Sequence, residues 1–219
     1  MFFAPASVTC FFSPVIKNEP ANSGSLGVSL ALEIGVYAKL CNNKNKKNKR
    51  IIFNNKNITF PTVEYVLDKL NCKCIEIKSD LPLGCGFGIS GASALSAAFE
   101  INNKLGLNKS SLYLADLAHE AEVMNKTGLG DVVTQAYGGV VVRKSPACPS
   151  KSFILKLNWD FELDFVIFGS IETKKLLLES NLKKVEKIGK NCLKEFLKMQ
   201  TIQNLFKVSK KFAIKTGFI

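Results

Sequence analysis

This chain has little histidine, little tryptophan and a shortage of acid. It carries one His and one Trp, and 18 Asp and Glu against 30 Lys and Arg. A single histidine, with no Cys-x-x-Cys pair, excludes the usual zinc ligand sets. No apolar run approaches the length of a membrane span, which excludes a spanning helix. No basic region precedes the apolar N-terminal residues, and Pro5 and Pro14 interrupt them, so no signal peptide is expected. The seven cysteines are odd in number and scattered, with only Lys73 between Cys72 and Cys74. Reduced thiols in a cytoplasmic protein are the expectation.

The net charge of +12 raises the question of nucleic acid. Its distribution argues against that partner. One basic block, Cys41–Asn57, has no periodicity, and its run from Asn42 to Arg50 holds no aromatic residue; it reads as a solvated hairpin tip. The other, Lys174–Lys215, holds twelve lysines against Glu179, Glu186 and Glu195, interleaved with Leu176, Leu182, Val185, Ile188 and Leu193. That spacing is the outer face of amphipathic helices. Stacking aromatics are not interleaved with the charge, so RNA binding stays only as an alternative.

What is present is a chain of 219 residues, 47% hydrophobic, long enough for one large domain or two small ones. Strands are expected over Phe2–Phe12, Val28–Leu40, Ile51–Phe53, Lys73–Ser79, Gly139–Arg143, Phe153–Leu157 and Leu163–Gly169. Helices are expected over Thr62–Leu70, Ser90–Leu105, Ser110–Asn125, Thr173–Leu182, Leu182–Gln200 and Ile202–Lys215. Thr62 is a candidate cap, as are Ser110 and Ser111. A domain boundary is expected near Leu157–Glu162, giving units of 1–158 and 159–219.

Two glycine motifs stand out. Pro82-Leu83-Gly84-Cys85-Gly86-Phe87-Gly88-Ile89-Ser90-Gly91-Ala92 leads from a strand into a small-residue helix. Glycines at every second position weaken any regular element, so the spacing points to close backbone approach by a ligand. A glycine loop opening a helix aims unpaired N–H groups and the positive dipole end at one spot, which suits phosphate. The motif is not a Walker A loop, since no Gly-Lys-Ser/Thr follows. A tight strand-to-helix turn with packing glycines is the plain alternative. The second motif, Thr127-Gly128-Leu129-Gly130-Asp131, sets one carboxylate among glycines ahead of Gly138-Gly139. Taken alone, Asp131 could simply cap a helix.

Together the motifs resemble those of the GHMP small-molecule kinases. That family carries a Pro-x-Gly-x-Gly-Leu-Gly-Ser-Ser-Ala loop and an Asp followed, six residues on, by Gly-Gly; here Val132–Tyr137 fills that interval. The stretch Ala4-Pro5-Ala6-Ser7-Val8-Thr9-Cys10-Phe11-Phe12 looks like the family's first motif. With Gly24-Ser25-Leu26-Gly27 added, the pattern is most similar to the archaeal pantoate kinases, from Phe3 to about Phe212. The resemblance implies an α+β fold: an N-terminal α/β domain like ribosomal protein S5 domain 2, then a ferredoxin-like domain, incomplete here. The family's late glycine-rich loop has no counterpart after Gly217, so the chain is expected to be a fragment or to break the pattern.

The resemblance also implies roles. ATP would lie on Pro82, Gly84, Gly86, Phe87, Gly88, Ser90, Gly91 and Ala92. Mg²⁺ would be held by Ser90 and a glutamate. Glu120 and Glu122 compete, being about 200° apart around a helix; Glu122 shares a face with His119 and is preferred because the resemblance implies a histidine for substrate with a glutamate three residues on for metal. Asp131 would orient or deprotonate the hydroxyl. Ser25, His119 and Thr173 match substrate positions, and Arg143 joins them because its planar fork suits the substrate carboxylate. Ser7 stands where many relatives have Lys, Ile89 where many have Ser, and Gly91 where many have Ala. The implied reaction is ATP-dependent phosphorylation of D-pantoate to 4-phosphopantoate in coenzyme A synthesis. Homoserine- or shikimate-type kinases and a non-catalytic nucleotide binder are the alternatives. Oligomeric state stays open, a homodimer being one option.

Overall fold

A computed structural model of the chain describes residues 1–41, 49–167, 169 and 182–218. Two long strands organise it. β1 (Phe2–Val15) and β2 (Gly24–Leu40) pair antiparallel along nearly their whole length, with register shifts at Pro5/Ser7 and Thr9/Phe11. The other edge of β2 serves two partners. Its C-terminal half, Val36–Leu40, pairs with β5 (Cys74–Ser79), and its N-terminal half, Gly27–Leu30, with β6 (Val140–Arg143). β3 (Arg50–Phe53) extends the sheet from β5 as its parallel neighbour, β4 (Lys56–Asn57) pairs with β3, and β7 (Ile154–Leu157) closes the far side against β6. Asn54 and Asn55 turn the β3–β4 hairpin at φ 45° and 65°, a left-handed conformation that Asn tolerates.

Helices α1 (Pro61–Lys69), α2 (Ile89–Leu105) and α3 (Ser111–Asn125) build one core with the N-terminal half of β1 and the C-terminal half of β2. Ala92, Ala94, Ala97 and Ala98 let α2 sit close against the sheet, and all are buried. Ser110 caps α3, accepting from Tyr113 N. A second core joins Phe11, Val28 and Val140 to Val185, Phe196 and Phe212 on α5 (Leu182–Lys198) and α6 (Ile202–Thr216). The amphipathic lysine-rich pattern of this last stretch folds as expected.

Four expectations need correction. Asp131–Tyr137 is a seven-residue helix, α4, where none was expected. The strand expected at Leu163–Gly169 is absent among the described residues. Of the apolar residues that suggested it, Phe165 packs on the Phe87 ring, and just before them Trp159 packs on Phe196 and Phe161 on Phe206. Thr62 is not the cap of α1; Phe60 holds that position and Thr62 is fully buried. Two of the cysteines are paired: Cys41 and Cys74 form a disulfide, with Cα atoms 5.4 Å apart. The Leu40↔Ile75 register sets them opposite each other, which a separation of 33 residues conceals. The remaining five thiols are free. Most of the basic tip at 42–48, and the helix expected at Thr173–Leu182 apart from Leu182, lie outside the described residues.

Candidate functional site

The glycine loop leaves β5 with Ser79 folded back on Leu81, and Gly84, Gly86 and Gly88 all take left-handed φ, at 77°, 81° and 61°. Gly88 is the N-cap of α2, and no side chain caps that end. The first N–H groups of α2 thus have no partner within the helix. Space around Gly86 is open, since a side-chain carbon there would meet nothing within 4 Å. Gly88 is the opposite case. A side-chain carbon there would run into Ser7 Oγ and stand 3.1 Å from Asp131 Cβ. The loop is also tied down: Ser7 N donates to Phe87 O (2.9 Å) and Gln135 Nε2 to Gly88 O (2.8 Å). The mouth of the glycine loop and Asp131 therefore share one place, at the junction of β1, α2 and α4.

Asp131 opens α4, so its carboxylate sits at a helix N-terminus, where negative charge is favoured. Its Oδ1 accepts from Ser7 Oγ (3.0 Å) and Thr9 Oγ1 (3.4 Å). Burial pushes its pKa up, and Arg143, Ser7 and Thr9 pull it back. Glu122, on α3, is buried and faces the same place. Desolvation first, then the neighbouring Asp131 charge, raises its pKa to about 7; Ser90 and Thr127 oppose this. Glu120 points elsewhere, within reach of the Tyr65 hydroxyl at 3.4 Å.

The two carboxylates meet over Gly128. A side-chain carbon on Gly128 would strike Glu122 Oε2 and lie 3.2 Å from Asp131 Oδ2. The absent Cβ leaves a small oxygen-lined cradle. Ser90 stands at its edge, and its Oγ donates to Thr62 Oγ1 (3.0 Å). Thr62 bonds Thr127 (3.2 Å), and Thr127 donates to Glu122 Oε1 (2.7 Å). Among the described residues no three His, Cys, Asp or Glu cluster as a metal cage. Two carboxylate oxygens and a hydroxyl suit a hard cation that keeps phosphate and water in its shell, and Mg²⁺ fits that description.

The residues matched to a substrate are less alike. Arg143 is buried; its Nε donates to Ser25 O (3.1 Å), and NH1 donates to Ser29 Oγ (2.7 Å) and Thr134 Oγ1 (2.8 Å). The fork expected to meet a carboxylate is largely engaged by the protein. NH2 alone is buried without a partner. Desolvation lowers the guanidinium pKa to about 10, with Asp131 opposing. A side-chain carbon on Gly130 would run into Ser25 Oγ and come within 2.8 Å of Arg143 Cζ, so Ser25 and Arg143 flank the turn that delivers Asp131. His119 is buried; its Nε2 donates to Ser23 O (2.9 Å), and burial lowers its pKa, keeping the ring neutral. Thr173 lies outside the described residues. Pro82 is exposed at the loop's start, Phe87 is buried, and Gly91 and Ala92 are buried in the first turn of α2.

Sequence reasoning missed Gln135, Ser29 and Thr134, which lock the loop, β2 and Arg143 together, and it misread Thr62. Nothing in local spacing marks them. The alternation of small polar residues at Ser7, Thr9 and Ser29 on paired strands was the available signal.

The family model for the GHMP kinases N terminal domain matches residues 57–139. The chain is 35% identical to a pantoate kinase of Methanocaldococcus jannaschii, over 99% of this chain and 80% of that one. It is 34% identical to a pantoate kinase of Thermococcus kodakarensis, over 99% and 76%. A solved structure described as a phosphotransferase related to the CoA biosynthesis pathway superposes with a TM-score of 0.82 at 31% identity, over 100% of this chain and 76% of that one.

Proposed function

This chain belongs to the GHMP kinases, and we propose that it is an ATP-dependent pantoate kinase, forming 4-phosphopantoate from D-pantoate and ATP in coenzyme A synthesis. The observation that carries the reading is the convergence of an uncapped, glycine-opened helix and two carboxylates on one spot. Identity above a third to two pantoate kinases, along almost the whole chain, supports the choice of substrate.

In this reading the ATP phosphates lie on the backbone of Gly84–Ser90 and the first N–H groups of α2. That places fixed positive dipole where negative charge gathers during transfer, in a site that needs little rearrangement. Glu122 Oε2 and Ser90 Oγ would hold Mg²⁺, which when bound would neutralise phosphate charge. Asp131 Oδ1 is held by Ser7 and Thr9, so Oδ2 is the oxygen left to accept the proton of the substrate hydroxyl. Ser7 occupies a place where relatives carry a cation, and its work here is to fix that carboxylate. The unpartnered NH2 of Arg143 is the donor we assign to the substrate carboxylate, a single charged contact in place of a fork. Ser25 and His119 shape the same wall, with Thr173 assigned to it by resemblance. We assign the ATP-binding unit to residues 1–158, the remainder to the second unit, and the reaction to the cytoplasm, where ATP is available.

The test is Asp131→Asn. Turnover of ATP with pantoate is expected to fall at least about 100-fold, as when a general base is removed. Nucleotide affinity by calorimetry should change little. Comparable turnover in the variant would take Asp131 out of the mechanism, and turnover of homoserine or shikimate in preference to pantoate would change the substrate.

A further inference from the structure

Resting on this kinase reading, we propose that Thr62 is a positioning residue: it fixes the Ser90 hydroxyl so that the oxygen turns only lone pairs toward the cation. Four residues from four segments form one chain of hydrogen bonds, Ser90 to Thr62 to Thr127 to Glu122. Each hydroxyl owns a single proton. Thr127 gives its proton to Glu122, whether to Oε1 at 2.7 Å or to the backbone oxygen at 3.3 Å. The bond between Thr62 and Thr127 must then run from Thr62. Thr62 has no second proton, so Ser90 must donate to it, as the geometry has it. When Glu122 is ionised, as it must be to hold a cation, the acceptor-only carboxylate at that end dictates the polarity of the whole row.

The consequence falls at the other end. With its proton committed, Ser90 Oγ offers lone pairs and no donor to whatever lies before α2. Lone pairs repel a phosphate oxygen and attract a hard cation. At the same time Thr127 occupies Oε1 of Glu122 and leaves Oε2 free over Gly128. The relay thus prepares both protein ligands of one ion together. Thr62 is its midpoint, fully buried on the first turn of a helix that brings no motif residue to the site. Glu122 Oε2 lies against the first turn of α2, 3.2 Å from where a side-chain carbon on Gly91 would stand. Without Thr62 to accept it, the Ser90 proton would turn to that carboxylate and compete with the ion.

The experiment is calorimetric titration of the whole chain with a non-hydrolysable ATP analogue, with and without Mg²⁺. In the wild type Mg²⁺ is expected to tighten nucleotide binding. Thr62→Val, which keeps the shape and removes the hydroxyl, should diminish that gain about 10-fold, the scale of lost outer-shell support. Metal-free affinity should stay unchanged, and Thr62→Ser should restore the gain. Thr127→Val breaks the row from its other end and should reproduce the effect. A full Mg²⁺ gain in either valine variant would overturn the relay. So would an equal loss of affinity with and without metal, or a Thr62→Ser variant as poor as Thr62→Val, since packing would then account for the role. A wild type indifferent to Mg²⁺ would overturn the metal assignment of Ser90 and Glu122, and the relay with it. A wild type that responds while Thr62→Val responds equally would leave the kinase reading standing.

Discussion

A buried acid beside a half-buried one is costly without a partner ion, and Glu122 is the buried one. Its pKa in the folded chain is about 7 against an ordinary 4.5, chiefly through desolvation. Between those values the folded state holds a proton that the unfolded state has lost. Stability of the metal-free chain therefore falls as pH rises from about 4.5 to about 7, then levels. The full effect is on the order of 3 kcal/mol, by the free energy that attaches to each pKa unit. Asp131, also raised, adds to it with the same sign. Thermal unfolding without metal should show a midpoint several degrees lower at pH 8 than at pH 5, and Glu122→Gln should reduce that slope. An unchanged slope in the variant would move the source elsewhere. The sequence named both acids because each stands in a recognisable motif. Helical phase said that only one of Glu120 and Glu122 could face the site, and the family's pattern of a histidine with a glutamate three residues on chose Glu122; that phase is what turns Glu122 inward and leaves Glu120 beside Tyr65. It overstated Arg143 because a fork looks free until Ser25, Ser29 and Thr134 arrive from other segments.

At the scale of elements, what was legible followed local rules. α2 and α3 were marked by their small or apolar faces, and α3 also by a Ser cap. α4 was not marked: seven residues with two adjacent valines and a glycine turn at each end give no helical period to see. Its existence depends on β1 and α2, which receive Asp131 and Gln135. The glycine loop was legible as a ligand turn, yet the sequence could not say which glycine matters for which reason. Gly88 and Gly106 make the comparison. Both cap α2 in the left-handed region, at φ 61° and 63°. Around Gly106 there is open space, while a side chain at Gly88 would collide with Ser7 and crowd Gln135. Gly106→Ala should cost about 1 kcal/mol of stability from backbone strain and nothing in nucleotide affinity. Gly88→Ala should weaken ATP binding about 10-fold or more, because displacing the first turn of α2 misaims its N–H groups. Calorimetry and urea unfolding on both variants separate these outcomes; equal affinities would mean the loop's amides do not bind the phosphates.

For the whole molecule, the question is how the C-terminal helices belong to the rest. The shift from a β-rich to a lysine-rich helical stretch, together with the family resemblance, suggested a second unit beginning near residue 159. Among the described residues, α5 and α6 bury their apolar faces on β1, β2 and β6, so the strands that carry Ser7, Thr9, Ser25 and Ser29 also floor the second core. The contact is closest at Gly189, where a side-chain carbon would collide with Phe12 O and sit 2.8 Å from Ser13 N. Two opposing effects decide the outcome of Gly189→Ala. Helix propensity favours Ala by about 1 kcal/mol. The collision is with backbone near the C-terminal end of β1 and forces α5 outward, loosening Phe196 from Phe11 and breaking the Ser13 bond to Glu186 O. Overpacking of that kind costs about 1–3 kcal/mol, so the net expectation is destabilisation. The lone tryptophan reports on it directly, because Trp159 lies edge-on to Phe196 with ring centroids 6.1 Å apart. In urea, Trp159 fluorescence and far-ultraviolet circular dichroism should trace one transition in the wild type, since β1 and β2 run through both cores. In Gly189→Ala both should move together to lower urea. A fluorescence transition that separates from the dichroism would mean instead that the helices undock as an independent unit and leave the kinase sheet intact.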